Sequence, residues 1–164
     1  MKPDLILDLS TVDFTKVVAD KEALRASNPQ RFDMEQLDAV VHLDTAAKQI
    51  VGYKDIRDDE FWVRGHMPGF PLFPGVLMCE AAAQLCSFYC KHIQIISSGF
   101  FGFGGMEDVR FRGTVKPGDR LVMMAKALRL NRRQTTFETQ GFVDGNMVYH
   151  GQIIGVRIED NPAG

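Results

Sequence analysis

The chain has 164 residues, 45% of them hydrophobic and 24% charged, enough for one sizeable core and too few to suggest two full domains. A formal net charge of −2 gives no footprint for a nucleic-acid binder, because neutralising phosphates requires a clustered Lys/Arg surplus. Acids prevail over residues 1–60 and bases over 61–164, much of the basic excess lying in Arg110, Arg112, Lys116, Arg120, Lys126, Arg129, Arg132 and Arg133; these read either as a basic rim for an acidic partner or as a solvated strand face.

In chain order, the opening Met1-Lys2-Pro3-Asp4 leads into an apolar stretch cut by Asp8, so no secretory signal is expected. Asp13 is expected to cap a short helix running to about Ala26, ended by Asn28-Pro29, since the residue before proline leaves helical angles. A strand is expected over Leu37–Val51. Residues 57–75 then gather Gly65, Pro68, Gly69, Pro71, Pro74 and Gly75, which only a shaped loop accommodates.

From Gly75 the run Val76-Leu77-Met78-Cys79-Glu80-Ala81-Ala82-Ala83-Gln84-Leu85-Cys86 has no turn residue and is rich in helix formers. A helix apolar nearly all round must be wrapped by protein. It carries Glu80 and Gln84 and falls short of the ~20 apolar residues a membrane span requires. Cys79, Cys86 and Cys90 are odd in number and crowded into this one segment, a poor disulfide framework that fits a reducing compartment and a cytoplasmic protein.

The last third changes period. Val109, Phe111 and Val115 alternate with Arg110, Arg112 and Thr114, while Val148, His150, Gln152, Ile154, Val156 and Ile158 share one parity, the pattern of strands. Lys116-Pro117-Gly118-Asp119 suits a type II turn and Asp144-Gly145 a tight hairpin. With no internal repeat, the reading is one α+β domain over residues 1–164, a buried helix wrapped by a curled antiparallel sheet, with residues 1–27 as an extension holding the short helix.

Chemistry concentrates in Gly65-His66-Met67-Pro68-Gly69-Phe70-Pro71-Leu72-Phe73-Pro74-Gly75 and the helix that follows. A loop stiffened by proline holds a histidine in one place. The helix start offers unpaired N–H groups to an oxygen gaining negative charge, and Gly75 lets a carbonyl approach its backbone. Glu80 lies in an apolar surround where ionisation costs desolvation energy, so it is expected to donate a proton, and Gln84 faces the same side one turn on. Separately, each feature has an innocent reading, as a surface histidine or a partnered carboxylate.

The run His66 to Gln84 closely resembles the signature of the bacterial (3R)-hydroxyacyl-acyl-carrier-protein dehydratases of fatty-acid synthesis. Phe103 to Asp119 and Val143-Asp144-Gly145 resemble that family's strands and turns, so that roughly residues 30–158 are covered. The resemblance implies a hotdog fold, a long central helix wrapped by a curved antiparallel sheet. It also implies His66 and Glu80 as catalytic residues, with Gly75 binding the thioester oxygen and Gln84 beside the acid. Phe70, Pro71, Val76 and Phe103 are placed at the substrate site. A glutamate at position 80 implies dehydration without isomerisation. The partners implied are acyl carrier protein and a second copy of the chain, each site taking His66 from one protomer and the carboxylate from the other, with a trimer of dimers as a further assembly. Where the family has His-Arg-Tyr/Phe-Pro this chain has Gln30-Arg31-Phe32-Asp33, and Met67 replaces a phenylalanine.

The Gly99–Gly105 stretch is expected to help line an acyl tunnel. It lacks the spacing of a dinucleotide site, so no nicotinamide is expected. His42, His92 and His150 share no metal-ligand spacing with the cysteines and are expected to be structural; no metal or other cofactor is expected. Two other functions fit the sequence: a thioesterase on the same fold, and a catalytically silent acyl- or carrier-binding module.

Overall fold

The computed structural model describes residues 3–159. Helix α1 spans Lys21–Ser27 and α2 Gly75–His92; the strands are β1 (Ala39–Asp44), β2 (Gln49–Asp55), β3 (Phe100–Phe111), β4 (Arg120–Leu130), β5 (Gln134–Val143) and β6 (Asn146–Ile158). The six strands form one antiparallel sheet in the order β1-β2-β4-β5-β6-β3. Both turn signals act as expected. Gly118 takes φ +96° beyond Pro117, and Asp144 and Gly145 take φ 48° and 75° in the two-residue β5–β6 hairpin, values open to Asn, Asp and Gly that match the strand twist.

Helix α2 buries Leu77, Met78, Cys79, Ala81, Ala82, Leu85, Cys86, Phe88, Tyr89 and Cys90. With apolar groups on most sides it has no favourable aqueous face, and it packs on β2, β3, β4, β5 and β6. Tyr89 meets Phe137 edge to face at 5.8 Å. Lys91 and His92 in the last turn complement the helix dipole. This is the hotdog arrangement expected from the sequence.

The sheet's outer face has its own cover. Ile6 and Val12 pack on Val41, Val51, Met124, Phe142 and Met147, with Leu7, Leu9 and Phe14 alongside. Fully buried Gln140 acts as a clamp: its Oε1 accepts from Ile6 N at 3.1 Å and its Nε2 donates to Asp4 O at 2.6 Å.

Three expectations are corrected. The first helix begins at Lys21, capped by Asp20, whose carboxylate accepts from Ala23 N at 2.9 Å. Asp13 instead closes a turn on Thr15, and the segment after it runs along β1, where Val18 N and Ala19 N donate to Val40 O. The strand expected over Leu37–Val51 is a hairpin, β1 and β2, turning where Asp44 Oδ1 accepts from Ala47 N and Lys48 takes φ 58°. The third concerns Val115, which lies beyond β3 and is fully buried, its carbonyl accepting from Phe73 N at 2.7 Å. On β6 the core takes Tyr149 and Ile153, while Val156 and Ile158 are 39% and 44% exposed.

Candidate active site

The loop before α2 is built to hold one ring. His66 N donates to Trp62 O and Leu72 N to His66 O, both at 2.8 Å, while Met67 and Phe70 exchange N–H···O bonds across the tip, where Gly69 takes φ +74°. His66 Nδ1 lies 2.7 Å from Leu72 O. A carbonyl oxygen only accepts, so Nδ1 carries the hydrogen and the neutral ring presents Nε2 as a lone pair.

The base of this loop rests on a buried ion pair that the sequence reading missed. Lys54 Nζ lies 3.0 Å from Glu60 Oε2, with the two side chains 3% and 7% exposed. Glu60 also accepts from Arg57 N at 2.9 Å and Trp62 Nε1 at 3.0 Å. Trp62 sets its ring against Phe73, and Lys54 Nζ sits 5.9 Å from that ring's centroid. Strand parity carried the signal: Lys54 shares its face of β2 with buried Ile50 and Gly52.

Glu80 projects from the first turns of α2, half-buried, and its Oε1 accepts from Gln84 Nε2 at 2.8 Å. Gln84, 3% exposed, also donates to Met34 O at 2.6 Å and accepts from Gln36 N at 2.9 Å. Glu80 borders a cavity of about 200 Å³ lined by Ala83, Cys86 and Cys90 of α2, Phe101 and Phe103 of β3, Phe137 and Ile153. Gly102 of the glycine-rich strand also borders this space, to which Gln30, Ser87 and Thr135 add polar groups.

Gly75 opens α2 beneath the Phe111 ring, three of whose carbons would lie 2.8–2.9 Å from a Cβ at that position. Its N–H and that of Val76 find no protein acceptor among the described residues. Within one protomer, Glu80 and Phe103 share the cavity and Gln84 touches Glu80, whereas His66, Phe70, Pro71, Gly75 and Val76 lie outside its lining. Phe70 and Val76 are instead 65% and 68% exposed.

His150 Nδ1 accepts from Arg112 Nε at 3.0 Å; burial, then Arg112 and Arg110, depress its pKa. His92 stacks on Phe88. All three cysteines are free and buried, and burial pushes Cys86 well up and Cys90 up to about 12. The basic residues form no single rim. Arg120 opens β4 and Arg129 lies near its other end, about 30 Å away at 3.3 Å per residue, whereas Arg110 on β3 and Arg112 just beyond it are separated from β4 by β5 and β6, and Arg120 is bound by Asp55 through bonds of 2.6 and 2.8 Å. Among the described residues no helix is long and apolar enough to cross a membrane.

The chain matches the FabA-like domain over residues 28–152. Among solved structures it is similar to the dehydratase heterocomplex ApeI:P from Xenorhabdus doucetiae, at 16% identity and a TM-score of 0.70 over 84% of this chain and 91% of that one. It is also similar to Cj0977, a sigma28-regulated virulence protein from Campylobacter jejuni, at 14% identity and TM-score 0.61 over 96% and 100% of the two chains. PaaI from the E. coli phenylacetic acid degradation operon aligns at 12% identity and TM-score 0.57, covering 72% of this chain and 81% of its own. At these identities the likeness concerns the fold.

Proposed function

The chain belongs to the FabA-like domain family, and from that premise we propose that it dehydrates (3R)-3-hydroxyacyl thioesters carried on acyl carrier protein to trans-2-enoyl thioesters. The observation that carries this reading is the His66 Nδ1···O Leu72 contact of 2.7 Å, which leaves Nε2 as a base of fixed direction.

In the proposed mechanism the thioester carbonyl accepts from the free N–H of Gly75 at the helix start, so that negative charge on its oxygen is stabilised as the C2 proton leaves. His66 Nε2 takes that proton. The electron pair forms the C2–C3 double bond and expels the 3-hydroxyl, which Glu80 protonates to water. The imidazolium then returns its proton through solvent to the Glu80 carboxylate. Gln84 keeps the carboxyl aimed at the leaving group. None of these steps draws on a metal or nicotinamide.

His66 and Glu80 act together across a homodimer. Strand β3 is a sheet edge, and Phe103, Met106 and Phe111 on it are 46%, 51% and 50% exposed; Phe70 and Val76 are exposed as well. A long unpaired edge flanked by apolar side chains is a template for a second copy. Exposed Arg110 and Arg112 add positive charge at the same sheet edge, the sign that an acidic, phosphopantetheine-bearing carrier would meet.

The test is to follow one 3-hydroxyacyl thioester for enoyl formation and for free thiol in parallel. The reading requires enoyl product, lost in His66→Ala; thiol release without enoyl product indicates a thioesterase, and tight carrier binding without turnover indicates a silent docking module.

A further inference from the structure

We propose that Asn28 and Gln30 bind a water behind Glu80 and form the route by which water leaves and enters the Glu80 cavity; the inference rests on the dehydratase reading of that site. Next to the cavity lies a smaller space of about 20 Å³, bordered by Asn28, Gln30, Gln84, Lys21, Arg25 and Glu35. Gln30 lines both spaces. Gln84 lines the small one and donates at 2.8 Å to Glu80, which lines the large one. At the rim the Lys21 and Arg25 side chains are 34% and 50% exposed, so the small space stands between solvent and the carboxyl.

Two oxygens at this place lack a donor. Asn28 Oδ1 and Gln30 Oε1 are both out of solvent and have no protein partner among the described residues. Asn28 is only 7% exposed, and its Nδ2 donates to Gln84 O at 3.0 Å. A carbonyl only accepts, so the bonded atom is the nitrogen and the orphan is the oxygen. Arg31 does not relieve either side chain, because its Nη1 donates to the main-chain oxygens of Asn28 and Gln30 at 2.8 and 2.6 Å. Those bonds pin the turn through Pro29 and hold both amides in place.

A buried acceptor without a donor is costly, and buried water is the usual remedy where the space admits it. Any space open to the centre of a water-sized sphere admits at least one. A water has two hydrogens to give, and two acceptors await them. Leu24 and Leu37 also border the space, so the amides are what would hold it there.

The reaction supplies the reason for such a route. In dehydration the 3-hydroxyl takes the Glu80 proton and departs as one water; in hydration one water adds its hydroxide to C3 and gives its proton to Glu80, while His66 returns a proton to C2. The thioester's chain occupies the cavity during both. The Gln30 amide, with an acceptor and donors on one group, hands water past Glu80 without disturbing that chain.

The experiment equilibrates a 3-hydroxyacyl pantetheine thioester, labelled with oxygen-18 in its 3-hydroxyl, with its enoyl product in D2O, and follows deuterium entering C2 and oxygen-18 leaving C3 by mass spectrometry. Deuterium enters even when the same water adds back, whereas oxygen-18 is lost only when that water is exchanged. In Gln30→Met the ratio of oxygen-18 loss to deuterium gain should fall by about fivefold, the worth of one hydrogen bond to the passing water. Gln30→Glu, which restores an acceptor, should recover it. Damage to the placing of Glu80 alone would lower both rates together and leave the ratio alone. Gln30→Leu takes the place of Gln30→Met should that variant fail to fold. An unchanged ratio in the folded variants overturns the route. A crystal structure of the wild type should show an ordered water within hydrogen-bond distance of Asn28 Oδ1 and Gln30 Oε1, and a dry space overturns the site. If no thioester is turned over in either direction, the dehydratase reading has failed and the route falls with it; the crystal structure then decides the water site by itself.

Discussion

Gln84 holds Glu80 by a 2.8 Å hydrogen bond from Nε2 to Oε1, and Gln84 is itself fixed by Met34 O and Gln36 N. The carboxyl borders the cavity in a direction set by backbone groups on the segment before β1 rather than by its own rotamer. Truncation to Gln84→Ala removes three side-chain hydrogen bonds and leaves the buried Gln36 N–H unpaired, which should cost about 1–3 kcal/mol in urea unfolding. The same variant should lower kcat by about tenfold with little change in KM, since a misdirected acid weakens only the transition state.

Glu80→Gln tests the acid directly. The amide oxygen still accepts from Gln84, so the melting temperature should stay close to wild type, while the proton donor is gone. Hydration of crotonyl thioesters should fall by about 10²–10⁴. A folded Glu80→Gln protein with wild-type turnover removes Glu80 from the mechanism.

Lys54 and Glu60 are both out of water, at 3% and 7% side-chain exposure. Lys54→Met strands the Glu60 charge in the interior and should destabilise by ~3–5 kcal/mol. Combining it with Glu60→Gln, which keeps an acceptor for Trp62 Nε1, should restore a large part of that loss. A double-mutant cycle by denaturant unfolding measures the coupling.

Alkaline stability follows from the buried thiols. Burial raises Cys90 from the ordinary 9.0 to about 12, and Cys86 also rises for the same reason. Between these values the unfolded chain has lost the thiol proton and the folded chain still holds it. The stabilisation is therefore complete below pH 9 and is lost as pH climbs toward 12. Unfolding free energy measured across that window should decline, and Cys90→Ala should flatten part of the decline.

Much of this architecture is legible in the residues. The Pro/Gly loop, the helix without a turn residue and the Pro-Gly and Asp-Gly turns each report a local backbone constraint, and all stand where expected. The failures are tertiary. The β1–β2 turn contains neither Gly nor Pro, and Lys48 takes φ 58° because the strands on either side are already paired. Asp13 is a competent cap, but Val12 and Phe14 are drawn onto the sheet's outer face and Val18 and Ala19 bond to β1, so the helix waits for Asp20. At the site, residue types were legible and partners were not: nothing local announces that Leu72 O would meet His66 or that Glu60 would join Lys54. Strand parity at Lys54 was the one signal available.

The central claim is that each site is shared, with the imidazole of one protomer facing the carboxyl of the other. Subunit mixing tests it most directly: His66→Ala and Glu80→Gln proteins, each inactive alone, are unfolded together and refolded at equal concentration. Half the dimers are then mixed, and each mixed dimer carries one intact site out of two, so about a quarter of wild-type hydration activity should return. If the mixture stays as inactive as its two components although mixed dimers are present, the two groups act within one chain or not at all.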